Sequence, residues 1–187
     1  MSLRSLLELD ARFSDQLRVA EKPGILRNIA VFFAHSGDSW FWALALILGW
    51  FFSNPAWKRW AVVEFFGILG LAGVVLAIKF LVRRERPQGE WGSIYRNTDP
   101  HSFPSGHAAR AFLIAVVGAA LGPVWLLIFI LWIWAPLVSL ARVAMGVHYL
   151  SDVIVGAILG TIVGLIGLQV YRPMINWLIT LIGFPLW

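Results

Sequence analysis

The stretch that decides the fold is residues 60–87, WAVVEFFGILGLAGVVLAIKFLVRRERP, which joins a long apolar run to a dense basic end. The apolar part, residues 60–82, has about the length that an α-helix needs to cross a bilayer. Only helices and closed barrels can span lipid, and apolar runs of this length exclude a barrel. The stretch therefore predicts a transmembrane helix that ends in a cluster of cations.

Further apolar blocks lie on both sides of this helix. The block before it, residues 39–52, is short for a span, so the helix either extends toward Phe33 or follows a short re-entrant helix. Three blocks follow it, at residues 105–121, 124–140 and 153–170. The sequence therefore predicts an all-α, polytopic transmembrane bundle of five spans. Residues 174–187 are apolar but short, and form either an interfacial segment or a partial sixth span.

The composition indicates one membrane domain over residues 1–187. The chain is 59% hydrophobic and only 13% charged, whereas soluble domains are about a quarter charged. A net charge of +5 suits either anionic lipid surfaces or an anionic substrate, although charges that anchor helix ends explain it equally well. The bilayer is the expected partner, with no role for nucleic acid, and the sequence does not indicate an oligomeric state.

The N-terminal segment, residues 1–22, predicts an amphipathic helix that lies on the membrane surface. Its apolar residues recur at spacings of three and four, as one helical stripe requires, and they are Leu6, Leu9, Phe13, Leu17 and Ala20. The other face is charged, which is typical of an interfacial helix. The catalytic transmembrane core is then expected within residues 39–172.

The first polar cluster lies at the end of the helix quoted above. Lys79 and Arg86 are seven residues apart, two helical turns, so they share a face. Pro87 limits the helix directly after Arg86. Such charge favours a site that binds an anion, and anchoring by the positive-inside rule is the alternative explanation.

The second cluster is Pro104-Ser105-Gly106-His107, directly before a predicted span. Ser105 suits the N-cap position, and the free amides at the start of a helix bind phosphate groups. Gly106 lets an oxyanion approach the backbone, and His107 is placed to donate a proton. The alternative is an ordinary capped helix start.

The third cluster places Arg142 six residues before His148, and Asp152 one helical turn after it. A carboxylate that holds one imidazole nitrogen leaves the other as a directed base or nucleophile. Arg142 supplies a planar fork of donors that suits phosphate oxygens. The alternative is a His–Asp pair that only caps a span.

In a serpentine bundle, all three clusters fall on the same face of the membrane. They lie at the end of the second span, at the start of the third, and between the fourth and fifth. No His-Glu-x-x-His motif is present, so we expect neither a metal nor another cofactor. The gathering of cations instead indicates an anionic substrate whose charge is neutralised by side chains.

With these residues in place, the sequence resembles the type 2 phosphatidic acid phosphatase superfamily, whose fold is shared with haloperoxidases. The family signatures Lys-x6-Arg-Pro, Pro-Ser-Gly-His and Ser-Arg-x5-His-x3-Asp match the three clusters in order and spacing. One departure is Ala141, which stands where the family has a serine that contacts phosphate. The resemblance covers roughly residues 40–170.

The resemblance implies a role for each matched residue. His148 attacks phosphorus and forms a phosphohistidine, Asp152 orients it, and His107 protonates the leaving lipid oxygen. The phosphate oxygens are expected to bind Lys79, Arg86, Ser105, Gly106 and Arg142. Two further residues are candidates for head-group contacts. Arg110 lies one turn beyond His107, where pairing with an acidic neighbour is the alternative explanation. His101 lies in the polar segment 88–103, which we expect to be an ordered loop, and a turn of that loop explains it equally well.

The resemblance implies a metal-independent lipid phosphatase in a prokaryotic cell (inner) membrane. The substrates that it allows are undecaprenyl diphosphate, phosphatidylglycerol phosphate, phosphatidic acid and a phosphorylated polyprenyl-sugar. A non-catalytic lipid-binding or transport member of the same fold is the alternative. The apolar spans argue against a soluble vanadate haloperoxidase of the same fold. The phosphate motif around Ser105 argues against an intramembrane serine protease.

Overall fold

The computed structural model describes residues 3–183 and residue 186, and every regular element in these residues is a helix. The end of the predicted segment 174–187 lies outside the described residues, apart from Leu186. The helices are α1 (Leu3–Gln16), α2 (Ile25–Ser36), α3 (Ser39–Phe52), α4 (Pro55–Val82), α5 (Glu90–Thr98), α6 (Gly106–Leu121), α7 (Trp125–Ala144) and α8 (Leu150–Ile182).

The predicted helical membrane bundle is confirmed, with a slightly smaller number of spans. Three helices are long and apolar enough to cross a membrane, namely α4, α7 and the first part of α8, Leu150–Tyr171. The helices α2 and α3, bent by 55° at their junction, together make a fourth candidate. The predicted third span, α6, has only 16 residues. At 1.5 Å per residue it falls short of a bilayer core about 30 Å thick.

Helix α6 lies in the core of the bundle, where other helices cover most of its surface. Ten consecutive or nearly consecutive residues between Ala108 and Gly118 are buried. It packs most extensively on α8, and also on α7 and α4. The helix that begins with the second cluster is therefore held on several sides by protein.

Glycines on α8 allow its close approach to α6. A Cβ at Gly156 would lie 2.6 Å from the carbonyl oxygen of Ser105, and one at Gly160 would overlap the carbonyl group of Ala109. The sequence Gly156-x3-Gly160 therefore brings the start of α8 directly against the start of α6. This contact joins the second and third polar clusters.

Three predicted boundaries were wrong. Residues 88–103 were expected to be an ordered loop, but they contain α5, whose Trp91 and Tyr95 pack on a buried cluster beside α2 and α7. The fifth span was expected to end at Val170, but α8 continues through Pro173 to Ile182. The N-terminal helix ends at Gln16, well before the expected break at Lys22.

Helix α1 presents its apolar stripe to the outside, and two of its polar residues, Asp10 and Ser14, to the protein. Leu6, Leu9 and Phe13 are exposed, as an interfacial helix requires. Asp10 accepts a hydrogen bond from the backbone N–H of Ser151 at 3.0 Å, and Ser14 accepts one from Leu150 at 2.8 Å. The helix is therefore docked on the first turn of α8.

Candidate active site

His148 and Asp152 lie at the junction of α7 and α8, and both are almost fully buried. The chain turns here at Gly146, whose φ of 66° favours glycine. Nδ1 of His148 is 3.4 Å from Oδ2 of Asp152, which is longer than a good hydrogen bond. The same oxygen accepts a hydrogen bond from the backbone N–H of Tyr149 at 2.9 Å, so the carboxylate is fixed beside the imidazole.

The contact of His148 with Arg86 sets the imidazole tautomer. Nε2 of His148 is 3.1 Å from Nη1 of Arg86. A guanidinium group only donates hydrogen bonds, so Nε2 accepts through its lone pair. The proton of the neutral ring then belongs to Nδ1, on the side of Asp152. The nitrogen that keeps its lone pair points toward the cations.

The pKa of His148 keeps this lone pair available. Burial, followed by the positive charges of Arg86 and Arg142, lowers the pKa of His148 well below its usual value. A neutral imidazole is therefore the favoured form at neutral pH. Neutral imidazole is the form that can act as a nucleophile or a base.

Arg86 is held by backbone groups as well as by a carboxylate. It donates to the carbonyl oxygens of Asp99 at 2.7 Å and Val147 at 2.8 Å. Nη2 donates to Oδ2 of Asp99 at 2.8 Å. These contacts fix the guanidinium beside His148, and Arg86 as a whole is 2% exposed.

Lys79 reaches the same carboxylate from the last turn of α4. It is buried and hydrogen-bonded to Oδ2 of Asp99, so this oxygen bridges Lys79 and Arg86. Burial opposes ionisation of Asp99, but the hydrogen bond and charge of Lys79 outweigh it and hold the pKa of Asp99 below its usual range. The first cluster therefore forms a cationic site in which Asp99 acts as an anionic partner.

The guanidinium of Arg142 has more hydrogen-bond donors than its protein contacts use. It is fully buried, and Nη1 donates to the hydroxyl of Tyr95 at 3.1 Å. Within the described part of the chain, its Nε and Nη2 have no hydrogen-bond partner. Buried donors of a charged group are costly to leave unpaired, so they indicate a position for an anion.

The ring of Tyr95 lies between two arginines. Its centroid is 4.6 Å from the guanidinium carbon of Arg142 and 5.3 Å from that of Arg86. Tyr95 belongs to α5, the helix that the sequence did not predict. Tyr95 was therefore not among the predicted site residues, and its only signal in the sequence is an aromatic residue within a polar segment.

The second cluster begins α6 as expected, with Ser105 as N-cap. The side chain of Ser105 accepts a long bond of 3.5 Å from the N–H of Ala108. The backbone N–H of Ser105 donates to the carbonyl oxygen of Asp152 at 3.0 Å, which ties the second cluster to the third. Nε2 of His107 lies 2.8 Å from Oδ1 of Asp38 at the break between α2 and α3. Asp38 was not among the predicted residues.

Arg84 is a further site residue that was not predicted from the sequence. Nη1 donates to Oδ1 of Asp152 at 2.7 Å, and Nη2 donates to Asp10 of α1, also at 2.7 Å. The guanidinium also lies over the ring of Tyr149, 3.9 Å from its centroid. Arg84 therefore connects the N-terminal helix to the carboxylate beside His148.

A cavity of about 260 Å³ connects the three clusters. Its polar lining comprises Ser39, Lys79, Asp99, His107, Arg110 and His148, together with the backbone of Gly106. One wall is apolar and is made by α4 residues Ile68, Leu71, Ala72, Val75 and Leu76. The cavity can therefore hold an anionic head against cations while an apolar chain extends along α4.

The two residues expected near a head group are placed differently. Arg110 lines the cavity, but Nε and Nη2 donate to the carbonyl oxygen of Gly37, at 2.8 and 2.5 Å, and Nη1 donates to Ser39. His101 packs edge-on against Phe80, with ring centroids 6.1 Å apart, and is not among the residues that line the cavity. Ala141 packs in a buried apolar cluster with Ala30 and Ala34.

The sequence matches the model of the PAP2 superfamily over residues 61–175, which is more than half of the chain and contains all three clusters. The chain belongs to the PAP2 superfamily. Decaprenylphosphoryl-5-phosphoribose phosphatase of Mycobacterium tuberculosis is 34% identical over 157 residues, which cover 81% of this chain and 83% of the relative. The resemblance to this superfamily inferred from the three motifs is therefore confirmed.

Solved structures support the same assignment. Aquifex aeolicus LpxE has a TM-score of 0.65 and 28% identity, and the match covers 83% of this chain and 93% of that one. A transmembrane PAP2-type phosphatidylglycerolphosphate phosphatase from Bacillus subtilis has a TM-score of 0.72. Its match covers 90% of this chain and 87% of that one, and its 22% identity shows the fold alone. This PAP2 protein is an integral membrane phosphoric ester hydrolase.

Proposed function

We propose that this PAP2 enzyme removes a phosphate group from a membrane lipid by transferring it to Nε2 of His148. The observation that carries the proposal is the contact of this nitrogen with Arg86, at 3.1 Å. The lone pair of the buried imidazole points toward the groups that would hold a phosphoryl group. Asp152 orients the ring from the other side and stabilises the charge that develops on it.

The first step exchanges one bond to phosphorus for another. The lone pair of Nε2 forms a bond to phosphorus while the bond between phosphorus and the lipid oxygen breaks. His107 gives its proton to the departing oxygen, so the lipid leaves as an alcohol, or as a monophosphate when the substrate is a diphosphate. The product on the enzyme is a phosphohistidine.

The second step returns the enzyme to its starting state. His107, now neutral, takes a proton from a water molecule, and the water oxygen attacks phosphorus. The bond between phosphorus and Nε2 breaks, inorganic phosphate leaves, and the electron pair returns to His148. Protons balance over the two steps because His107 gives one and regains one.

The protein's own donors supply the charge that stabilises this transfer, without a metal ion. Phosphoryl transfer depends chiefly on positioning and on neutralising the equatorial oxygens. The unpaired Nε and Nη2 of Arg142 support binding of two oxygens, and Lys79 and Arg86 would hold another in exchange for Asp99. Ser105 and the start of α6 at Gly106 complete the proposed oxyanion site.

A phosphomonoester on a polyprenyl-linked sugar is the substrate class that we place first. The support is the 34% identity to decaprenylphosphoryl-5-phosphoribose phosphatase, with most of both chains covered. The apolar α4 wall of the cavity is consistent with a long tail that enters sideways from the bilayer. Phosphatidylglycerol phosphate, phosphatidic acid and undecaprenyl diphosphate are the comparison substrates.

We also propose that the protein resides in a prokaryotic cell (inner) membrane, because it combines apolar membrane helices with similarity to proteins of Mycobacterium tuberculosis and Aquifex aeolicus. Outside the three clusters, the segments on the active face carry more basic residues than those on the opposite face, whose basic residues are Lys58, Arg59 and Arg172. By the positive-inside rule, this excess favours a cytoplasmic site. The chain has no cysteine, so a single one introduced at the exposed Gln88 gives a clean label. Labelling only from the outside of intact cells would overturn the cytoplasmic assignment.

The test of the function is phosphate release in detergent from a panel of the four lipid classes, with and without a chelator. We expect release that the chelator does not change, and its loss in His148→Ala. Lys58→Ala, at the opposite end of α4, is the control that should behave as wild type. Lipid binding without release would favour the non-catalytic alternative, and full activity of His148→Ala would contradict the assigned nucleophile.

A further inference from the structure

Asp38 lies between two histidines at the break between α2 and α3. Its Oδ1 is 2.8 Å from Nε2 of His107, and its Oδ2 is 3.0 Å from Nδ1 of His35. The side chains of Asp38 and His107 are each 18% exposed, whereas that of His35 is 47% exposed. An ionised carboxylate only accepts hydrogen bonds, so Nε2 of His107 carries a hydrogen.

The position of Asp38 is fixed by α6, the same helix that carries His107. Arg110, one turn beyond His107, donates twice to the carbonyl oxygen of Gly37 and once to Ser39. These two residues flank Asp38 on either side. Gly37 also allows close packing, since a Cβ there would lie 2.9 Å from Val138 and 3.4 Å from the ring of His107. The break between α2 and α3 is therefore held against the imidazole ring of His107.

The contact between Asp38 and His107 has a direct chemical consequence. With Nε2 directed at Asp38, Nδ1 is the ring nitrogen left for the leaving oxygen. The adjacent negative charge stabilises the doubly protonated ring, which is the form that can give a proton. After the transfer, the ring keeps its hydrogen on Nε2 and offers the Nδ1 lone pair to water.

We propose that Asp38 is the positioning residue of His107, fixing its tautomer and stabilising its protonated form for departure of the lipid oxygen. His35 holds the second carboxylate oxygen on the more exposed side. The site then contains two His–carboxylate pairs, with Asp152 serving the nucleophile and Asp38 serving the proton donor. Asp38 acts through His107 and does not touch the phosphoryl group. This inference rests on the proposed function.

The dependence of the rate on the leaving group separates this role from a structural one. An alkoxide needs a proton to leave, whereas para-nitrophenolate is stable without one. The assay therefore compares the lipid monoester that the wild type hydrolyses fastest with para-nitrophenyl phosphate. Asp38→Asn keeps the size of the side chain and a hydrogen-bond acceptor but removes the charge.

We expect Asp38→Asn to lower kcat/KM for the lipid ester about 10- to 100-fold, part of the roughly 10²–10⁴ that a positioned proton donor contributes. This parameter is compared because it includes only the steps through departure of the leaving group, and not the later hydrolysis of the phosphohistidine that both esters share. The aryl ester should lose less than about threefold, because its departure needs little help from a proton donor. His107→Ala should show the same selective loss, while Asp152→Asn should slow both esters. Asp15→Asn, on the exposed face of α1, is the control. Equal loss on both esters, or no loss, would overturn the proposal.

A second measurement does not depend on activity. Ring-nitrogen NMR of histidine-labelled wild-type protein should find the hydrogen of neutral His107 on Nε2, with His107→Gln providing the assignment. A hydrogen on Nδ1 would overturn the proposal. If the wild type hydrolyses neither ester, the proposed function fails, and the NMR result alone decides the role of Asp38.

Discussion

Asp99 is the residue whose contacts define the phosphate-binding cations before substrate arrives. Its Oδ2 bridges Lys79 and Arg86, so a phosphate oxygen that binds both cations must displace it. Asp99→Asn would remove the negative charge with which this side chain competes with phosphate for Lys79 and Arg86. Arg86 would keep its bonds to the backbone carbonyls of Asp99 and Val147, so the cation should not move.

We therefore predict that Asp99→Asn binds inorganic phosphate more tightly, by about tenfold, or ~1.4 kcal/mol. The inhibition constant of phosphate as a product inhibitor measures this directly. Asp15→Asn is the control for loss of a carboxylate elsewhere and should leave the constant unchanged. Weaker inhibition in Asp99→Asn would show that Asp99 supports the cations and does not compete for them.

His148 leads to a prediction about protonation. Its pKa is lowered, first by burial and then by Arg86 and Arg142, so the folded protein should keep this ring neutral at about pH 6, below the usual histidine value near 6.5. Ring-nitrogen NMR should find a neutral ring with its hydrogen on Nδ1. A charged ring at this pH, or a hydrogen on Nε2, would contradict the tautomer inferred from Arg86.

The same shift has a consequence for stability. The unfolded chain takes up a proton on His148 near pH 6.5, while the folded protein does so only at a lower pH. The free energy of unfolding should therefore fall as the pH drops through this interval, and the contribution is fully present above it.

At the scale of helices, the contact between α6 and α8 positions the chemistry. A Cβ on Gly160 would overlap the backbone carbonyl of Ala109, which cannot turn away as a flexible side chain could. Separating the two helices would also move Ser105, whose N–H bonds to Asp152. The contact between α6 and α8 therefore both packs the two helices together and aligns the second polar cluster with the third.

We predict that Gly160→Ala destabilises the protein by about 1–3 kcal/mol and lowers activity, since overpacking forces backbone shifts of this cost. Gly73→Ala on α4 is the matched control, because a Cβ there meets nothing within 4 Å. The apparent melting temperature in detergent and kcat measure the two effects. A Gly160→Ala protein as stable and active as Gly73→Ala would mean that the helices are not packed this closely.

The sequence predicted the helices of the bundle better than it predicted the contacts of the site. Hydropathy located α4, α7 and the first part of α8, because a bilayer imposes a length on each span. Hydropathy could not distinguish α6 from a transmembrane span, because α6 is apolar for a different reason, namely that protein surrounds it. Helix α5 was missed because its polar sequence lacks a clear apolar period, and Tyr95 was missed with it.

The family motifs indicated the matched residues but none of their supporting partners. Asp38, Arg84 and Asp10 reach the site from segments far apart in the sequence, and no spacing rule connects them to a histidine or an aspartate. Arg84 was read only as part of a basic helix end. Such contacts depend on the tertiary packing of α1, α2 and α3 around the core, which hydropathy does not encode.

At the scale of the whole molecule, the cavity joins a polar end to an apolar α4 wall. This arrangement leads to a prediction about substrate entry. Ala72→Trp would fill the wall that a lipid tail is expected to contact. A small soluble ester does not need that wall, so the variant should separate tail binding from chemistry.

We expect Ala72→Trp to raise KM for the lipid ester by at least about tenfold, since loss of a few buried methylenes at ~0.8 kcal/mol each suffices. Hydrolysis of para-nitrophenyl phosphate should be little changed. Val74→Trp, on an exposed α4 position that does not line the cavity, is the control. Equal loss on both esters would place the tail elsewhere.

Transfer of the phosphoryl group to His148 is tested most directly by a crystal structure of the enzyme with vanadate, which mimics a phosphoryl group in transfer. We predict vanadium bonded to Nε2 of His148, with its oxygens contacting Lys79, Arg86 and the Nε and Nη2 atoms of Arg142. In that structure Asp99 should have released at least one of its two cations. Vanadate bound away from His148, or bonded to another side chain, would show that His148 is not the nucleophile.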